Sequence, residues 1–207
     1  MPARVAAWLI VSALSLTLWP ATAAAQQLYW GFGMGFTRHD TSAADWDDGS
    51  LIDGGVSRSD FGFKLIASYE MNPRLAWEAA FVSLGEHSFE GRSDGGDFWL
   101  SGDVRGKAST LGVSGSGVVR WPIGERSSAY ARGGLLYWNT DVTIDDERAR
   151  ESGGKTGASP LVGGGLEFEL DRAMRVRVEW ERYLNIEKGV FGKYDVDMLS
   201  ASFLVTF

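Results

Sequence analysis

The sequence contains no cysteine. That excludes a disulfide scaffold, a thiolate nucleophile, an iron–sulfur cluster and a cysteine-ligated zinc site. Proline is scarce, with five residues. An excess of positive charge is also missing. The formal net charge is −7, which argues against an electrostatic grip on nucleic acid, so no nucleic-acid partner is expected. After the first 25 residues no apolar run is long enough to form a transmembrane helix.

What is present is glycine, 27 of 207 residues, and aromatic side chains at 13%. Both together with little proline fit extended strands better than a low-complexity linker. The apolar fraction of 44% rules out wholesale disorder, and the length allows one domain or two small ones. The N-terminus carries Arg4, an apolar stretch from Val5 to Leu18, Trp19-Pro20, and then Ala21-Thr22-Ala23-Ala24-Ala25. A positive charge, an apolar run and an Ala-x-Ala ending predict a secretory signal peptide cut after Ala25. A retained anchor fits less well, because the run is short and Pro20 interrupts it. The expected organisation is therefore a signal peptide over residues 1–25 and one exported domain over 26–207.

That domain alternates with period two. Leu28, Trp30, Phe32, Met34 and Phe36 are large and apolar, and Gly31, Gly33, Gly35 and Thr37 between them are small or polar. This predicts a strand with one greasy face. The pattern returns at Phe61–Met71, Leu75–Phe81, Leu111–Trp121, Ala129–Tyr137, Val162–Leu170, Met174–Trp180 and Leu199–Phe207. Short turns are predicted at Asn72-Pro73-Arg74, around Pro122 to Glu125, and at Asp171-Arg172-Ala173. Long polar loops are predicted over residues 38–60, 87–106, 141–158 and 186–195. Eight amphipathic strands with short turns on one rim and long loops on the other describe an all-β, eight-stranded, antiparallel up-and-down transmembrane barrel of a bacterial outer membrane.

A soluble lipocalin-like barrel is the alternative. It would have to pack all the Trp, Phe and Leu of one face inside, and so narrow an interior holds few side chains. The other face carries glycine, serine and charges of both signs, which suit a cramped lumen. Inward acids at Glu78, Glu167 and Glu179 and inward bases at Lys64, Arg132 and Arg177 lie at comparable distances above the short turns. With a three-residue turn from Asp171 to Ala173, Leu170 faces Met174. Counting outward, Glu169 then faces Arg175 and Glu167 faces Arg177, two opposite-charge pairs on the inner face. A slip of two would oppose Glu167 to Glu179, a like-charge contact. The charges therefore read as a neutralised plug rather than a catalytic site.

Other motifs have plain readings. Gly154-Lys155-Thr156 resembles the end of a phosphate loop, but Ala149 stands where its first glycine belongs, so an external loop is expected. Gly112-Val113-Ser114-Gly115-Ser116 misses the nucleophile elbow at Ser116. His87-Ser88 could suggest a lipid hydrolase at the rim. Neighbours on a strand face opposite ways, however, so both His39 and His87 are expected to be solvated loop residues. Asp40, Asp45, Asp47, Asp48, Asp53 and Asp60 crowd the first loop beside Arg58. Gly49 occupies a ligand position of a calcium loop, so a solvated surface is expected. Trp30, Trp77, Trp121, Trp138 and Trp180 are candidates for an aromatic girdle, several of them near strand ends.

Tyr29-Trp30-Gly31-Phe32-Gly33-Met34-Gly35-Phe36 resembles the first strand of the OmpA-like transmembrane β-barrel family. So do Lys64 to Tyr69 with Asn72-Pro73, Glu78 and Leu84-Gly85. Gly117 to Gly124 with Tyr130 to Gly134 is similar to that family's fourth and fifth strands, and Arg177 to Tyr183 to its seventh. Phe207, with Phe203 and Val205 on its face, resembles the C-terminal signal read by the barrel-assembly machinery. The resemblance implies outer-membrane lipids as surroundings, and assembly machinery and periplasmic chaperones as partners during biogenesis. Larger members continue into a peptidoglycan-binding domain, and this sequence stops at Phe207, so a monomeric barrel-only surface protein is expected. No cofactor and no metal are expected. The function read from the sequence is a non-enzymatic structural or surface-interaction role with a charge-plugged lumen. A narrow passive porin is the alternative, and a lipid-modifying rim enzyme a third reading. Deleting Phe207 is expected to lower outer-membrane levels and leave periplasmic material for proteases. Normal assembly of the shortened chain would remove the assembly-signal reading.

Overall fold

The computed structural model describes residues 27–42, 47, 49–96, 101–146, 150–187 and 192–207. The predicted signal peptide, Asp45, Asp48 and Ala149 lie outside them. Among the described residues nine strands follow in order: β1 Gln27–His39, β2 Leu51–Ser57, β3 Ser59–Asn72, β4 Leu75–Ser93, β5 Gly102–Pro122, β6 Ser127–Asp146, β7 Arg150–Glu169, β8 Met174–Glu187 and β9 Lys193–Thr206. All pairings are antiparallel. Eight strands form a ring, β3-β4-β5-β6-β7-β8-β9-β1, that β1 closes onto β3.

Following cross-strand partners around the ring gives its stagger. Ser68 leads through Glu78, Ser116, Gly134, Leu161, Tyr183 and Val196 to His39. The His39 N–H then bonds to the Arg58 carbonyl, ten residues above the starting point on the same run of chain. A ring of eight with this shear tilts its strands by about 35–45°. The turns on the short rim are pinned by side chains. Asn72 Oδ1 accepts from the N–H groups of Arg74 and Leu75, and Asp171 Oδ1 from those of Ala173 and Met174.

The outward face carries the predicted apolar residues. Leu28 to Phe36 on β1 and Phe61 to Met71 on β3 match the ~9–11 residues a tilted strand needs to cross a bilayer. Trp77 is 59% exposed, Leu135 60% and Val178 49%, whereas Lys64 and Arg177 are fully buried. That inversion is what lipid outside and a packed polar lumen require, and it overturns the soluble alternative. Trp30, Tyr69, Trp77 and Trp121 stand outward near the short-turn end. At the opposite end Phe61, Phe36, Leu199 and Trp180 are side-by-side partners across four strands. Trp138 does not join either girdle. It faces inward, and its Nε1–H donates to Ser159 Oγ at 2.7 Å.

Above the membrane the predicted loops are largely sheet. β4 with β5, and β6 with β7, continue as paired ribbons to Ser93, Gly102, Asp145 and Arg150. The first loop contains the ninth strand, β2, which replaces β3 as the partner of β4 from Ser88 upward. The switch coincides with a bulge at Gly85, whose φ is +75°. A Cβ there would lie 2.8 Å from Asp60 Oδ2, so glycine is required twice over. Gly154-Lys155-Thr156 is likewise strand and not loop. Lys155 Nζ lies 2.6 Å from Glu187, and Lys193 lies 3.3 Å from the same carboxylate. Those two ammonium groups hold the Glu187 carboxyl below the usual carboxylate range.

Candidate functional site in the barrel lumen

Inward-facing side chains in the lower lumen are mostly ionised. Arg177 Nε lies 2.5 Å from Glu167 and its Nη1 2.6 Å from Glu78. Arg132 pairs with Glu78 and Glu181, and with Glu179 at 3.3 Å. Lys64 bridges Glu179 at 2.7 Å and Glu181 at 2.5 Å. Arg175 pairs with Glu70, with Glu169 at 3.2 Å and with Glu167 at 3.4 Å. Arg120 stands 2.6 Å from Glu70 and 3.3 Å from Glu167, without hydrogen-bond alignment, so charge rather than directed bonding holds it. Neutral donors complete the set. Tyr130 and Ser202 hydroxyls donate to Glu179, Ser68 to Glu78 and Tyr183 to Glu181. The Arg175 guanidinium also lies over the Tyr29 ring at 4.3 Å, and that of Arg177 over Tyr130 at 5.1 Å.

Five acids, Glu70, Glu78, Glu167, Glu179 and Glu181, thus meet five bases, Lys64, Arg120, Arg132, Arg175 and Arg177, and the buried cluster is formally neutral. Glu169 adds a half-exposed acid at the short-turn mouth. Desolvating so many ions is costly, and only mutual pairing offsets it. Small residues make room: a Cβ on Gly163 would fall 2.9 Å from Glu181 Cγ, and one on Gly165 3.0 Å from Glu179 Cβ.

The register puts Glu169 opposite Arg175 and Glu167 opposite Arg177 on β7 and β8. The cluster also brings together Lys64, Glu78, Arg132 and Glu179. Glu70, Arg120, Glu181, Tyr29 and Tyr130 belong to it without having been singled out in the sequence. Strand parity was the available signal, since Glu70, Arg120 and Glu181 sit on the inner face of their strands. Their reach across the lumen was not readable, because it depends on the barrel's stagger.

Above the charges five of the strands, β4, β6, β7, β8 and β9, turn apolar. On β4, Glu78 is followed inward by Ala80, Val82 and Leu84. On β6, Arg132 gives way to Leu136 and Trp138. On β9, Ser202 and Ser200 give way to Met198 and Val196. With Leu161, Tyr183 and Ile186 these form one buried cluster. Higher still come Thr110, Thr140, Tyr194 and the two histidines. His39 and His87 are fully buried, with ring centroids 4.6 Å apart, and His39 Nε2 lies 3.1 Å from the Leu84 carbonyl. The expectation of solvated loop histidines is therefore wrong, because the strands continue upward and keep alternating. Ser88 faces away from His87 and pairs across β2 and β5 with Ser57 and Lys107. A second apolar cluster of Phe89, Val104 and Ala108 lies above the histidines. In the first loop, Asp47 Oδ1 accepts from the N–H groups of Gly49 and Leu51, an Asx turn rather than a ligand set. Among the described residues no cluster of three or more metal-ligating side chains occurs.

A closed ring of eight antiparallel strands, apolar outside and charged inside, defines a transmembrane β-barrel. The sequence model of the OmpA-like transmembrane domain matches residues 23–207, and the chain belongs to that family. Outer membrane protein A of Klebsiella pneumoniae is 29% identical over 178 residues, covering 83% of this chain and 48% of that one. Outer membrane protein A of Yersinia pseudotuberculosis is 28% identical over 144 residues, covering 68% and 38%. The chain thus spans about half the length of these relatives, or less. Neisserial surface protein A has the same fold, with a TM-score of 0.57 at 13% identity, covering 89% of this chain and 100% of that one. The protein is an integral protein of a bacterial outer membrane.

Proposed function

We propose that this barrel is a non-enzymatic structural or surface-interaction protein whose lumen is closed by its charge network. The observation that carries this reading is the neutral, buried cluster of five acids and five bases across the lower lumen. An open pore would leave its wall charges to water, whereas these side chains bond one another across the barrel. The adjacent His87 and Ser88 form no nucleophile–base dyad, since Ser88 faces away from His87. The barrel works as a monomer, with outer-membrane lipids around it and the assembly machinery and periplasmic chaperones as partners only during biogenesis. Interaction with partners falls to the ribbons above the membrane.

Planar-bilayer recording tests the closed lumen. The purified barrel is expected to conduct poorly at both polarities. Large, steady channels would replace this reading with the narrow passive porin.

A further inference from the structure

The proposed plug accounts for the lower lumen alone. Above it lies a layer with the opposite chemistry. Val82 and Leu84 on β4, Leu136 and Trp138 on β6, Leu161 on β7, Tyr183 and Ile186 on β8, and Val196 and Met198 on β9 are all buried and mutually packed. They come from five strands that include opposite walls of the ring, so the layer spans the lumen. Its few polar atoms are turned away from a water path. The Tyr183 hydroxyl donates downward to Glu181 at 3.1 Å, and Trp138 donates to Ser159 on the neighbouring strand. A constriction lined this way excludes ions by refusing to wet, whatever the charge of the ion.

We infer that the apolar layer built around Val82, Leu136 and Val196 is a second permeability barrier, in series with the charge network and independent of it. The inference rests on the closed-lumen reading above and adds where the closure lies. Two barriers in series predict a specific pattern. Opening either one alone leaves the path shut by the other. Charge substitutions that loosen the lower lumen therefore change stability more than conductance.

The test compares four barrels in planar bilayers after heat-modifiable mobility has shown that each is folded. They are the wild type, Glu78→Gln/Arg132→Gln in the charged layer, Val82→Thr/Leu136→Asn/Val196→Thr in the apolar layer, and all five changes together. The first three are expected to stay near the baseline, and the combined variant to conduct about tenfold more or better, as a wetted constriction would. If the triple polar variant does not fold, Val82→Thr/Val196→Thr takes its place, because threonine adds a hydroxyl at nearly unchanged shape. A charged-layer variant that conducts as well as the combined one overturns the inference, as does a folded combined variant that stays closed. An apolar-layer variant that opens by itself overturns it too, because the intact charge network below would then be no barrier in series. Large wild-type currents would instead remove the closed-lumen reading, a result distinct from the other outcomes.

Discussion

Arg177→Ala is expected to destabilise the barrel by about 3–5 kcal/mol, the usual cost of removing one member of a buried ion pair. Arg177 is fully buried, and its guanidinium bonds Glu167 at 2.5 Å and Glu78 at 2.6 Å. Its loss leaves the buried cluster with one negative charge in excess. Arg120 and Arg175 remain within 3.3 and 3.4 Å of Glu167, which places the effect towards the lower end of that range. Glu167→Ala/Arg177→Ala restores neutrality. The double variant should therefore lose less than the sum of the single changes, with a coupling of about 0.5–3 kcal/mol. Urea unfolding in lipid vesicles measures all three. Strict additivity would mean that the two side chains do not depend on each other, and the plug reading would lose its physical basis.

Val178→Arg carries the second large effect. Val178 faces lipid beside Leu166 on β7 and Ala201 on β9, in the apolar band four residues above Met174 and two below Trp180. An arginine there is expected to cost about 2–4 kcal/mol. The dependence on depth is the sharper measurement. Phe36→Arg, in the outer aromatic row, should cost only about 0–1 kcal/mol, because the longer side chain reaches the headgroups. Equal costs at the two positions would contradict the assignment of faces, since a lumen-facing residue has no such dependence on membrane depth.

The fold was legible because membrane strands obey a strict local rule. Trp30, Phe32 and Met34 against Gly33 and Gly35 need only a period of two to declare a lipid face and a lumen face. The pairing of Glu167 with Arg177 was within reach for the same reason: a short turn at Asp171 fixes register over the residues next to it. Parity failed to help where strands were expected to stop. The predicted loops over residues 87–106 and 141–158 are polar on one face and carry only scattered apolar residues, such as Phe89, Val104, Val142 and Ile144, on the other, a weak alternation that reads as loop when no lipid demands large apolar side chains. The same weak signal in the predicted loop over residues 38–60 left His39, like His87, reading as solvated, while the continuing strands bury both histidines and put Lys155 on β7.

By itself, then, the sequence determined the membrane strands, the facing of side chains within their clearly alternating stretches, the short-rim turns and the pool of charges available to the lumen. These are local properties, set by alternation and by turns a few residues long. Only the tertiary structure decided which charges meet. Lys64 and Glu181 are 117 residues apart in the chain, and Arg175 and Glu70 are 105 apart, and they touch because the ring closes with a stagger of ten residues. The same closure stacks Leu136, Val196 and Val82 into one apolar layer over the charges. Stagger is a property of all eight strands together, and no single strand's pattern encodes it.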